Sequence, residues 1–137
     1  MIYLTEEMFK SGKPVAQGEV LVWMKKYAPK DVLEKLASLK NMEEMLVEGG
    51  KLILGHSETG HHHVLEAVRE KTPISMAALA LIDKANDTFI ELKLFEECKL
   101  VHMRSNDNHE CFVFPKGEYI RGLREEQIPE GWRRVAD

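Results

Sequence analysis

Disulfides, long apolar runs and an excess of positive charge are all missing from this chain, and each absence closes a class. Two cysteines among 137 residues, Cys98 and Cys111, are too few for a disulfide-stapled scaffold. Their spacing is not the C-x-x-C of a structural zinc site either. They read as free thiols of a reducing compartment, which predicts the cytoplasm of a bacterial or phage-infected cell. No segment approaches the roughly 20 apolar residues of a bilayer-spanning helix, and the opening MIYLTEEMFKSGK lacks the charged start and apolar stretch of a secretory signal. Basic residues number 19 against 23 acids, a net charge of −4, the wrong sign for general capture of a phosphate backbone. Membrane association and general nucleic-acid binding are therefore not expected. A G-x-S-x-G elbow is absent, which argues against acyl transfer, and Gly49-Gly50 lacks the spacing of a phosphate-cradling loop.

What is present is a folded-protein composition, 44% hydrophobic and 31% charged. With no repeat, low-complexity tract or linker, a single domain over 1–137 is expected. Thr5 is placed to cap a helical turn through Phe9, and Ser11-Gly12-Lys13-Pro14 reads as a break. Val20-Leu21-Val22-Trp23 shows little alternation, as in a strand covered on both faces. Pro29 and Asp31 open a helix whose stripe is Val32, Leu36, Leu39, Met42 and Leu46, with Gly49-Gly50 as its end; a break at Asn41 is the alternative. Short β segments follow at 51–55, 63–68, 74–82, 88–94, 99–104, 111–114 and 119–123, with a last edge strand over 132–135; the alanines of SMAALALI within 74–82 also fit a helix. Within 88–94, Ile90, Leu92 and Leu94 alternate with Glu91 and Lys93. The pattern predicts a mainly β fold with one inserted helix at about 29–48, arranged as a small β-barrel or sandwich.

Four of the six histidines fall between positions 56 and 63, in Gly55-His56-Ser57-Glu58-Thr59-Gly60-His61-His62-His63. In a strand, residues two apart share a face, so His61 and His63 point together and His62 points away. Two imidazoles on one face, joined by a third from a distant strand, suit a divalent transition metal with open positions. His109 is the first choice for that third ligand and His102 the second. His56 and His102 also suit groups that orient a ligand rather than bind the ion. The ion expected is zinc, iron, manganese or nickel. Glu66 and Glu58 are the carboxylates to consider as general base, although Glu66 lies three residues past His63 and joins it only across a bulge. A solvated histidine loop is the plain alternative. Arg121, Arg124, Arg133 and Arg134, interleaved with Glu125, Glu126 and Glu130, read as a solvated surface.

The stretches Gly18-Glu19-Val20, Gly55 to His63, His109, Phe114-Pro115-Lys116-Gly117-Glu118-Tyr119, Arg124-Glu125 and Pro129 to Asp137 resemble a family of small, uncharacterised phage and bacterial proteins. Where that family carries a second HxxH-like pair, this chain has Asn106-Asp107-Asn108-His109, with Asn106 at the first histidine's place. The layout is also similar to a cupin, although His109 precedes the Pro115-Lys116-Gly117 turn instead of following it. The resemblance implies no particular activity. Three functions remain open: a metal-dependent enzyme acting on a small molecule, a non-catalytic phage accessory module binding a host protein or small ligand, and a homo-oligomer assembled through edge strands.

Overall fold

A strand with one apolar face must bury it, and here two sheets bury theirs against each other. The computed structural model describes residues 1–56, 62–103, 111–128 and 131–134, with backbone alone at 125–128 and 131–134. Five strands form the first sheet: β1 (Ile2–Tyr3), β5 (Leu52–Gly55), β6 (His63–Ala67), β9 (Cys98–His102) and β10 (Cys111–Phe114), in the order β1-β10-β9-β6-β5. Six form the second: β2 (Val15–Gln17), β3 (Val20–Met24), β4 (Glu43–Glu44), β7 (Ala78–Ile82), β8 (Phe89–Leu94) and β11 (Gly117–Leu123), in the order β2-β3-β11-β8-β7-β4. A separate hairpin pairs β12 (Glu125–Ile128) with β13 (Gly131–Arg134). The architecture is a small β-sandwich. No helix among the described residues is long and apolar enough to cross a membrane.

The alternation of β8 holds: Ile90, Leu92 and Leu94 are buried in the core, while Glu91 takes an ion pair from Lys25 at 2.7 Å. From the facing sheet come Leu52, Leu54, Leu65, Cys98, Leu100 and Phe114. The outer face of the six-stranded sheet is covered by α1 (Lys30–Ala37), whose Val32 and Leu36 pack with Trp23 and Ile120. Strand β3 is thus buried on both sides, as its continuous apolar run implies.

The inserted helix is shorter than its apolar stripe. It ends at Ala37, where the Ser38 hydroxyl donates to the Lys35 carbonyl at 2.6 Å. Beyond it, Leu39 and Met42 stay packed beside Trp23 without helical backbone, and Leu46 is exposed. Glu43 and Glu44 instead pair with Ile82 and Leu81 at the sheet edge. Sheet pairing outcompetes the helical repeat in this second half. Gly49 and Gly50, with φ of 57° and 76°, do not end a helix. They form the tight turn between Glu48 and Lys51, which exchange backbone hydrogen bonds of 2.9 and 3.0 Å.

Other boundaries shift for local reasons. The segment 74–82 splits into a helical turn, α2 (Ile74–Ala77), directly after Pro73, and strand β7. The 3-10 turn Glu6–Phe9 forms without a side-chain cap from Thr5. Strands β1, β2 and β12 carry little sequence signal and are defined by their partners. At Gly122, on the face beneath α1, a Cβ would stand 2.6 Å from Trp23 Cζ3. Gly122→Ala is therefore expected to lower stability by about 1–3 kcal/mol through overpacking. An unchanged urea midpoint would show that Trp23 does not press on this strand.

Candidate functional site

Register places His63 at the most crowded point of the first sheet. It opens β6, faces His102 across the pairing with β9, and faces Gly55 on β5. Its side chain points inward with Leu65, and it is wholly buried. His102, also buried, stacks on it with ring centres 4.2 Å apart and planes 17° apart. Nearly parallel, stacked rings hold their in-plane lone pairs in separate parallel planes, so these two imidazoles do not converge on one ion. Gly55 makes the approach possible. A Cβ there would lie 2.6 Å from Val20 Cγ2, 3.0 Å from His63 Cδ2 and 3.3 Å from Glu19 Oε1. The imidazole and the Glu19 carboxylate thus both close on the space a side chain would take.

Gln17 sets the orientation of His63. Strands β2 and β3 are joined by the two-residue turn Gly18-Glu19, with Gly18 at φ 56° in the position that requires glycine. That turn leaves Gln17 and Glu19 as buried polar groups. Gln17 Nε2 donates to the Leu100 carbonyl at 3.2 Å. A carbonyl only accepts, so the amide oxygen faces the other way, where His63 Nδ1 lies 2.8 Å from it. Nδ1 therefore carries the proton and donates, and in the neutral ring Nε2 bears the lone pair.

A second buried polar residue ties the sheets together. Arg121 faces inward between Tyr119 and Leu123 on β11, and its Nη1 donates to the Leu54 carbonyl on β5 at 2.8 Å. Its Nη2 donates to the carbonyls of Asp87 and Thr88. The β5–β6 register shifts between Ile53 and Gly55, so Leu54 sits at an irregularity where a ladder carbonyl is available to the guanidinium. The expectation that Arg121 belongs to a solvated surface is corrected: its alternation with Tyr119 and Leu123 puts it in the core. Arg124 is exposed as expected.

The remaining sequence candidates separate. His61, Glu58 and His109 lie outside the described residues. The strand ends that flank 57–61 and 104–110 are neighbours, since His63 pairs with His102 and Cys111 with Val101. Strand β6 is regular against β9, so Glu66 faces away from His63 and lies 3.8 Å from Lys99. The structure does not bring Glu66 to the imidazole. His56 is exposed and meets His62 ring to ring. Among the described residues, no three His, Cys, Asp or Glu side chains are grouped to hold a metal ion. Gln17, Glu19 and Arg121 were not singled out from the sequence as buried polar groups. Parity along β11 signals Arg121, and the polar break Gln17-Gly18-Glu19 between valine-rich runs is the only signal for the others.

Gln17→Leu strips the partner from His63 Nδ1 and from a buried carbonyl, so about 1–3 kcal/mol of stability is expected to be lost. Nitrogen-15 spectra of the imidazoles should show the Nδ1–H form of His63 in the parent protein; the Nε2–H form there would overturn the assignment. Burial pushes the Cys98 thiol up to about 12 and also raises Cys111. A raised thiol keeps its proton in the folded chain while the unfolded one ionises near 9, so stability should fall as pH rises past that value. At pH 8 both thiols should resist iodoacetamide until the protein is unfolded.

The chain matches no protein-family model, no curated protein and no solved structure.

Proposed function

We propose that the His63 end of the sandwich binds a divalent transition metal, with His63 as one ligand through Nε2 and His61 and His109 as the others. The observation that carries this reading is the Gln17 hydrogen bond to His63 Nδ1. Metal-binding histidines commonly donate their second ring nitrogen to an oxygen, which fixes the tautomer and leaves the other nitrogen to the ion. The donor set fits a borderline ion such as zinc, iron, manganese or nickel. Glu19, buried beside His63 at Gly55, adds a carboxyl oxygen to the same neighbourhood. A bound ion would act there as a Lewis acid toward a small-molecule oxygen.

A second reading is favoured by Glu66, which pairs with Lys99 on the opposite face and so offers no base to the site. In that reading the metal, or the histidines alone, stabilise a module that binds a host protein or small ligand without catalysis. The resemblance to small phage and bacterial proteins is compatible with it.

Elemental analysis of protein purified without an affinity tag tests the proposal. The expected result is a metal content that falls by about one per chain in the His61→Ala/His63→Ala double variant and in His109→Ala. Metal-free protein whose melting is unchanged by chelator would refute it.

A further inference from the structure

Among the described histidines, His63 stacks on His102 while His56 and His62 meet each other. His62 is one residue out of step with His63, and its ring meets His56 instead, with centres 5.2 Å apart and planes at 76°. His62 Nδ1 is buried and has no hydrogen-bond partner among the described residues, a state that native structures rarely leave without a ligand, water or ion to account for it. The backbone on either side is held by the sheet: His56 follows the last residue of β5, and the His62 carbonyl accepts from the Met103 amide at 2.8 Å. The two rings are therefore presented from anchored positions.

We infer that His56 and His62 form a second, two-imidazole site for a borderline divalent ion such as Cu²⁺, Ni²⁺ or Zn²⁺. Two imidazoles that share one tetrahedral ion through bonds of about 2.0–2.1 Å hold their ring centres roughly 5 Å apart. The observed separation meets that requirement. Rotation about each metal–nitrogen bond leaves the interplanar angle unrestricted, so the steep tilt is compatible with a shared ion. His56 is exposed, which gives the ion a route from solvent and leaves its other positions to water. An ion there would also satisfy the orphaned His62 nitrogen. The site does not depend on the Gln17–His63 arrangement, since it uses neither residue.

Copper(II) alone is the probe. Metal-free protein is titrated with Cu²⁺ and followed by visible absorption and by electron paramagnetic resonance, which resolves coupling to coordinated imidazole nitrogens. The titration is run in the His109→Ala background, where the proposed three-histidine centre lacks a ligand; the expected result is a bound ion with two imidazole nitrogens, weakened at least tenfold by adding His56→Asn or His62→Asn. The double variant His56→Phe/His62→Phe keeps an edge-to-face ring contact but has no donor nitrogen, and it should lose the site while unfolding at a similar temperature. Undiminished copper binding in the two asparagine variants would overturn the inference, as would absence of such a species in the His109→Ala background. Loss of binding in His61→Asn with no effect of His56→Asn would overturn it in favour of a single centre at His63. Failure of the His63 proposal, read from His109→Ala, leaves this result unaffected.

Discussion

An imidazole sealed between two apolar sheets has to satisfy its ring donor, and the organisation of one end of this sandwich follows from that need. Leaving such a group unpaired costs on the order of 1–3 kcal/mol, a sizeable share of a domain's stability. Gln17 meets the requirement from the opposite sheet. It reaches from β2 to the Leu100 carbonyl and to His63 Nδ1, so an edge strand of one sheet is held against central strands of the other. The geometry is possible because Gly18 turns the chain tightly and Gly55 yields the space of a side chain to Val20, His63 and Glu19.

Arg121 solves a related problem in the body of the sandwich. A guanidinium has five N–H donors and no way to become neutral, so burying it demands carbonyls that the ladders do not consume. The irregularity at Leu54 and the turn carbonyls of Asp87 and Thr88 provide them. Two inward polar residues, His63 and Arg121, are each bound to backbone or amide groups of the facing sheet or of a turn. They specify how the sheets align in a way that leucine and valine contacts alone do not, because hydrogen bonds are directional.

The same arrangement separates the histidines by chemistry. Register against β9 puts His63 into the core and stacks His102 on it, while His62, just before β6, is half-buried. His56 is left to meet His62 near the surface. A cluster compact in sequence therefore becomes two environments, one buried and oriented by Gln17, the other partly open to solvent. Strands hold His63 and His102, and His56 and His62 adjoin strand ends, which favours a site of defined geometry.

The β character, the inward row of β8 and the doubly covered β3 were legible in the residues, because alternation and continuous apolar runs report directly how many faces a strand buries. Segment 29–48 was legible only in part: spacings of three and four residues fit a helix as far as Leu46, but edge pairing with β7 and the two-way hydrogen bonds at Glu48 and Lys51 claimed its second half. The histidine cluster was conspicuous, whereas the partners that give His63 its orientation were not. Gln17 is 46 residues away in sequence, and no local pattern states that two sheets will bring it there. Periodicity is a property of neighbours along the chain, so it determined which faces are apolar and which residues alternate. The choice of partner across the core depends on packing two whole sheets, and only the tertiary structure decided it.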